Sequence, residues 1–318
     1  MAMSATSRKR VLLTGAAGFI GCQLARLLLE EGHEVYAIMR PETDRWRLAG
    51  IDRDLRVIEG DLRALPDLRD RLRAIRPEIC LHLAWRGWAG KANADENMAS
   101  LGASLEFLRT MPEIGCGRFV SAGTCFEYDC SFDRLSEETP LRPQGFNPLY
   151  GACKKSLFEV AQQFSVLTGV SVAVPRVFNC YGPFEDARGL VPSITLALLR
   201  NEAARVTPGL QVRDYLHVQD VASAIWRVTV SDQRGAVNIA SGEPVTIAEL
   251  ATRLGRLIGR PELVQLGAIP YRPGDPMRIL ADASLLRQGL GWSPQLDLER
   301  GLAETVEWWQ GQVARGAV

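Results

Sequence analysis

Apolar positions along this chain follow two rhythms that alternate through its first half. Short, nearly continuous apolar runs at RVLLTG, EVYAIM, LRVIEGDL, EICLHLA and RFVSAG have the length and composition of buried strands. Between them, FIGCQLARLLLEEGH, DLRDRLRAI and ADENMASLGASLEFLRTM carry helical spacing; Gly32 ends the first and Arg76-Pro77 the second. Another helix, containing LYGACKKSLFE, leads into VSVAVPRVFN. Strands alternating with helices predict an α/β fold built on a doubly wound parallel sheet of Rossmann type. After Pro175 the chain becomes rich in Pro, Gly and loops (YGPFEDARGLVP, VTPGLQVRDYLHV, SGEPVT, YRPGDPMR), which predicts a second, smaller α/β lobe. The expected division gives 8–175 to the sheet domain, with a returning segment at about 212–240. The second lobe then takes 176–211 and 241–318. A last helix from about Asp297 is expected to bury Leu298, Leu302, Val306, Trp309 and Val313.

Composition narrows the classes. Of 318 residues, 47% are apolar and 23% charged, enough for a sizeable core. Lys plus Arg and Asp plus Glu both number 37, so no general attraction to nucleic acid or anionic membrane is expected. No apolar run approaches the roughly 18 residues that would span a bilayer. The polar start MAMSATSRKR runs directly into a strand and does not read as a signal peptide. The odd, scattered cysteines (Cys22, Cys80, Cys116, Cys125, Cys130, Cys153 and Cys180) suit reduced thiols, and the three histidines lie far apart. A cytoplasmic protein without a metal site is the expectation.

Three glycines carry the first chemistry. LLTGAAGFIG sets Gly15, Gly18 and Gly21 between the first strand and first helix. Glycine there permits a tight turn, close approach of a pyrophosphate, and close helix–strand packing. The cradle would run through Gly15, Ala17, Gly18, Phe19, Ile20 and Gly21 and bind a dinucleotide. At the end of the second strand, where an NAD site usually has an acid for the ribose 2′-hydroxyl, this chain has Met39 and Arg40. A guanidinium suits a 2′-phosphate, so NADP(H) is favoured over NAD(H), with Arg45 or Arg47 in support. Glu42 or Asp44 reaching the ribose is the competing reading.

Tyr150 and Lys154 stand four apart in a predicted helix and so share a face. A nearby ammonium favours phenolate and brings tyrosine closer to proton transfer at working pH. Spacing alone would leave them as two solvated side chains.

Taken in order, TGAAGFIG, GDL (Gly60–Leu62), HLAW (82–85), LYGACK, RVFNCYGP, VRDYLHVQDVA and RPGD resemble the extended short-chain dehydrogenase/reductase family, in particular its nucleotide-sugar epimerases, dehydratases and reductases. The resemblance spans nearly the whole chain. It implies Tyr150 as catalytic acid/base, Lys154 as its partner on the nicotinamide ribose, and Thr124 of SAGTCFEYD as the hydroxyl steadying the reacting oxygen, with Ser121 as rival. It adds Asp61, Leu62, Leu83 and Ala84 to the cofactor contacts, and assigns Asn179, Arg213 and Arg272 to a sugar-diphosphate. Structural ion pairs are the alternative for those arginines.

Related 4,6-dehydratases usually carry an acid pair after that hydroxyl; here Cys125 and Phe126 follow, and phenylalanine does no acid–base work. Fucose-synthase-type enzymes place a cysteine nearby and a histidine further on, but Cys125 is out of register and reads as packing. The resemblance therefore implies NADPH-dependent reduction of a nucleotide-linked 4-keto-6-deoxyhexose, with a C4 epimerase holding NAD as the alternative. A non-catalytic NADP-binding sensor is a third reading, which the intact Thr–Tyr–Lys set disfavours. Trp85 and Trp88 either wall the sugar pocket or pack in the core. The family also implies a homodimer through helices near 95–111 and 150–167.

Overall fold

The structure, a computed structural model, describes residues 8–86, 94–145 and 147–316. The chain runs β1 (Arg10–Thr14), α1 (Phe19–Glu30), β2 (Glu34–Met39), β3 (Arg56–Glu59), α2 (Arg69–Ile75), β4 (Ile79–His82), α3 (Ala94–Arg109), β5 (Arg118–Ser121) and β6 (Gly123–Thr124). It continues through α4 (Pro148–Thr168), β7 (Ser171–Val177), β8 (Asn179–Tyr181), α5 (Leu190–Leu199), β9 (Ala204–Arg205), β10 (Val212–His217), α6 (Val218–Val230) and β11 (Gly235–Ile239). It ends with β12 (Pro244–Thr246), α7 (Ile247–Ile258), β13 (Val264–Gln265), β14 (Arg278–Ile279) and α8 (Leu298–Ala314).

Contacts divide the chain into two units, the first comprising 1–124, 149–176 and 225–237. Its sheet has the order β11-β7-β5-β4-β1-β2-β3, with β6 beside β7. The pairs from β3 through β1 and β4 to β7 are parallel. The chain steps from β1 outward to β3, then crosses back to β4 and proceeds the other way. The strand order thus reverses between β1 and β4, where doubly wound sheets open a crevice at their carboxyl ends. The strands are nearly continuously apolar because helices cover both faces, and Leu12, Ile38, Cys80, Phe119 and Val172 meet Phe107 and Met111 in the core. Gly32, at φ +81°, lets the α1 terminus close as the His33 amide donates to the Leu28 carbonyl at 3.0 Å. Arg76 does the same for α2 in a left-handed conformation, φ 51°, immediately before Pro77. Pro175 does not end β7; it stands past Ala173, the last residue in register with β5, so no ladder hydrogen bond to β5 is lost.

The second unit comprises 125–148, 177–224 and 238–318. Here β10 is central, parallel to β8 and β14 and antiparallel to β12. Thr246 and Glu249 form a capping box on α7, and Asp297 caps α8 by accepting from the Arg300 amide at 2.9 Å. The α8 stripe buries Leu302, Val306 and Trp309, with Leu298 packed against the same core. Val313, expected to continue it, is only half-buried, in the last turn of the helix.

This division departs from the expected boundaries in two places. Residues 125–148 join the second unit because Leu135 bridges Ala281 and Tyr128 hydrogen-bonds Asn238 at 2.7 Å. Of the returning segment, 225–237 lies in the first unit, while β10 has its edges occupied by strands of the second. The second unit is consequently nearly as large as the first.

Candidate active site

The turn after β1 is shaped by what a side chain would strike. Gly15 has φ +76°, and a Cβ there would come within 2.8 Å of both the Ala84 nitrogen and the Leu83 carbonyl carbon. A Cβ on Gly21 would overlap the Gly15 carbonyl, so α1 sits flush on the turn. The turn closes as the Gly18 amide donates to the Gly15 carbonyl at 2.9 Å. Gly18 is the α1 N-cap, and no side chain caps that end. Gly18 is exposed, with Ala17, Phe19 and Ile20 half-buried around it. Amides at an uncapped helix start beside a glycine hollow suit an anion, and the dinucleotide pyrophosphate expected from the sequence fits this cradle.

The crevice wall is pinned by a directed chain of hydrogen bonds. The Ala84 amide donates to Thr14 Oγ1 at 3.1 Å, and Thr14 Oγ1 lies 2.8 Å from His82 Nδ1. On the other side, His82 Nε2 lies 2.8 Å from Ser104 Oγ, which donates to the Ser100 carbonyl at 2.7 Å. The Leu83 amide adds a bond to the Thr14 carbonyl at 3.2 Å. Burial and the Lys154 charge push the His82 ring down to about 3, so it is neutral.

Arg40 stands at the end of β2, but its Nη1 is paired with Glu42 at 2.7 Å. Arg45 reaches Glu59 at 3.5 Å, and the Arg47 guanidinium lies over the Trp46 ring at 4.4 Å. Asp61 accepts from the Arg63 amide at 2.9 Å and from the Arg63 guanidinium, whose hydrogen bonds hold its carboxyl below the usual range. Leu62 packs against the core behind it.

Tyr150 and Lys154 lie one turn apart on α4. Lys154 is 4% exposed, and its Nζ donates to the Ala122 carbonyl at 2.8 Å. That nitrogen sits 4.0 Å from the centroid of the Trp85 ring and 5.9 Å from that of Tyr150. Thr124 is buried in β6, next to β7. Ser121, the rival hydroxyl, is buried with its Oγ unpartnered among the described residues. Cys125 and Phe126 are buried, and Trp88 lies outside the described residues.

In the second unit, Asn179 Nδ2 donates to the Asp214 carbonyl at 3.3 Å. Arg213 is buried, and its Nη2 meets Asp275 Oδ1 at 2.7 Å; Gln211 donates to the other oxygen at 3.2 Å. Arg272 is exposed, its carbonyl accepting from the Asp275 amide at 3.1 Å. Further along, Glu185 is pushed up to about 8 by burial, and its Oε2 is unpartnered among the described residues.

A model of the NAD dependent epimerase/dehydratase family matches residues 11–240. The chain belongs to this family. The dTDP-glucose 4,6-dehydratase of Streptomyces griseus is 31% identical, covering 94% of this chain and 93% of the relative. A dTDP-4-dehydro-6-deoxy-D-allose reductase from a Streptomyces species is 29% identical over 95% of this chain and 96% of its own. Among solved structures, the UDP-glucose 4-epimerase of Thermus thermophilus in complex with NAD superposes with a TM-score of 0.83 at 26% identity, covering 97% of this chain and all of that one. Family membership makes the protein an enzyme.

Two contacts around Lys154 and Trp85 left no signal in the sequence, and for Arg213 the ion pair was expected as an alternative without its partner. The Ala122 carbonyl facing Lys154 is a backbone group and leaves no residue-type signal. Asn97, which accepts from the Trp85 indole at 3.0 Å, gives no motif. The Arg213–Asp275 pair had a signal, since Asp275 closes the RPGD motif and a charge of opposite sign sits in VRDYLHV.

Proposed function

We propose that this enzyme reduces the C4 keto group of a nucleotide-linked 4-keto-6-deoxyhexose, with NADPH as coenzyme. The observation that carries the proposal is the Lys154 ammonium, fixed by the Ala122 carbonyl at 2.8 Å beside Tyr150, on the unit that also holds the Gly15–Gly21 cradle. When bound there, the coenzyme supplies hydride. The Gly15–Gly21 turn, Leu83 and Ala84 would hold its pyrophosphate and nicotinamide side; Asp61, Leu62 and Arg40 would take its adenosine side.

The residues of the chain do the rest. The Tyr150 hydroxyl gives its proton to the oxygen left negative at C4, the general-acid step. Lys154 favours the phenolate that results, and the Thr124 hydroxyl donates to the same substrate oxygen. In the second unit, Asn179, Arg213 and Arg272 are assigned to the sugar-diphosphate. Arg213 contributes what its fork has left beyond Asp275, and Arg272 is more exposed. Reduction is preferred to dehydration because Cys125 and Phe126, buried after Thr124, offer no carboxyl for proton traffic at neighbouring carbons. Exposed Met98 on α3 and Val160, Val166 and Leu167 on α4 support a homodimer through those helices.

A second reading, a nucleotide-sugar 4-epimerase retaining NAD, is favoured by one contact. The Arg40 guanidinium is engaged by Glu42, which competes with a 2′-phosphate for it, and the Thermus relative is in complex with NAD. Purified protein incubated with a nucleotide-linked 4-keto-6-deoxyhexose and NADPH tests the choice. Stoichiometric consumption of NADPH supports the reductase; release of one tightly bound NAD on denaturation, without NADPH turnover, replaces it with the epimerase.

A further inference from the structure

Trp85 follows the pinned Ala84 and is fixed from three directions. The Ala84 amide is held by Thr14 Oγ1 at 3.1 Å, the Arg86 amide donates to Ser100 Oγ at 3.1 Å, and the indole Nε1–H donates to Asn97 Oδ1 at 3.0 Å. Asn97 is itself fully buried on α3. So held, the indole presents its face to Lys154 Nζ, 4.0 Å from the ring centroid, and stands edge-on to Tyr150 at 6.1 Å and 77°. Lys154 is 4% exposed, and burial works against a charged amine. An aromatic face opposes that effect through its negative quadrupole, and does so more strongly where water is excluded.

We propose that Trp85 is a positioning residue, keeping the Lys154 side chain charged and aimed at Tyr150 through the face of its indole. The inference rests on the reading of Tyr150 and Lys154 as acid and partner, and goes beyond it by naming what holds the partner. An indole that only packed would owe its effect to shape; one that holds a cation owes it to the electron density of its face. Loss of that density would let the ammonium give up its proton or swing away, and the phenol would ionise at higher pH.

Tryptophan carrying successive fluorines, incorporated at position 85 alone, keeps the shape of the ring while draining its face. Tyr150 ionisation is then followed by ultraviolet difference absorbance in the full chain without substrate, using Tyr150→Phe as the blank. The expected result is a stepwise move of ionisation to higher pH with each fluorine. Trp85→Leu is expected to lower turnover about tenfold, with partial rescue in Trp85→Phe. An ionisation unchanged across the fluorine series overturns the proposal, and that series stands even where Trp85→Leu fails to fold. Since the titration uses no sugar, it is separable from the functional reading. Full turnover in Tyr150→Phe would remove the catalytic assignment and leave the titration result intact.

Discussion

Thr14 Oγ1 lies 2.8 Å from His82 Nδ1, and the two residues tie β1 to β4 at the point where the strand order reverses. Because Thr14 Oγ1 already accepts from the Ala84 amide, its proton is free to go to Nδ1. The other ring nitrogen must then carry hydrogen and donate to Ser104, whose own proton goes to the Ser100 carbonyl. A protonated ring would face Thr14 with a donor where an acceptor is needed.

His82 binds a proton near 6.5 in the unfolded chain but only near 3 in the native one. Its contribution to stability is present above the unfolded value and is lost as pH falls from 6.5 toward 3. His82→Asn is expected to be the less stable protein at pH 7 but to lose less between there and pH 4.5. Denaturant midpoints across that range check this, and nitrogen chemical shifts should place the ring proton on Nε2. A proton found on Nδ1 would reverse the assigned direction of the chain.

Glu185 acts with the opposite sense. Its carboxyl is raised from 4.5 to about 8, so the native state holds a proton that the unfolded chain gives up earlier. The associated stability is full below pH 4.5 and is lost as pH rises through 8. Glu185→Gln is expected to melt at a higher temperature than the wild type, with a margin that widens from pH 5 to pH 8. A constant margin would mean that the carboxyl titrates normally.

Tyr150→Phe is expected to lower turnover roughly 10²- to 10⁴-fold while coenzyme affinity stays within a few-fold of wild type. Steady-state rates and fluorescence titration with the dinucleotide separate the two effects. Wild-type turnover in this variant would take the proton-transfer role from Tyr150.

Arg40→Asp is expected to move coenzyme preference from NADPH toward NADH, read as the ratio of kcat/KM values. Removing the pair at its other end, Glu42→Gln, frees the guanidinium and is expected to move preference the other way. Equal ratios in all three proteins would remove both side chains from the ribose site.

Arg213 and Asp275 are nearly excluded from solvent, at 8% and 14% side-chain exposure. Arg213→Met leaves the carboxylate without its cation and is expected to cost about 3–5 kcal/mol of stability. Adding Asp275→Asn should restore a large part of that loss, since the buried charge goes with it. A double variant as weak as the single one would show that Arg213 acts mainly through its packing.

Much of the first unit could be read locally. The glycine turn was legible because Gly15 needs a positive φ and Gly21 tolerates no side chain, constraints that appear directly as residue type. The strands around it were legible because burial on both faces demands unbroken apolar runs. Arg40 shows the limit: its type suggested a phosphate, but its guanidinium pairs with a residue two positions on, which composition alone cannot rank against a ligand. Segment 125–148 shows another, since its membership depends on Tyr128 meeting Asn238, more than a hundred residues away.

By itself the sequence determined the alternation of strands and helices through the first half of the chain, the glycine turn after β1, and the one-turn spacing of Tyr150 and Lys154. Each follows from backbone conformation or periodicity within a few residues. Tertiary structure alone decided that Asp275 takes one edge of Arg213, that residues 125–148 join the second unit, and that an indole faces the Lys154 ammonium. These depend on which distant segments are brought together, and burial then fixes a charge or a polar ring to whatever partner the packing supplies.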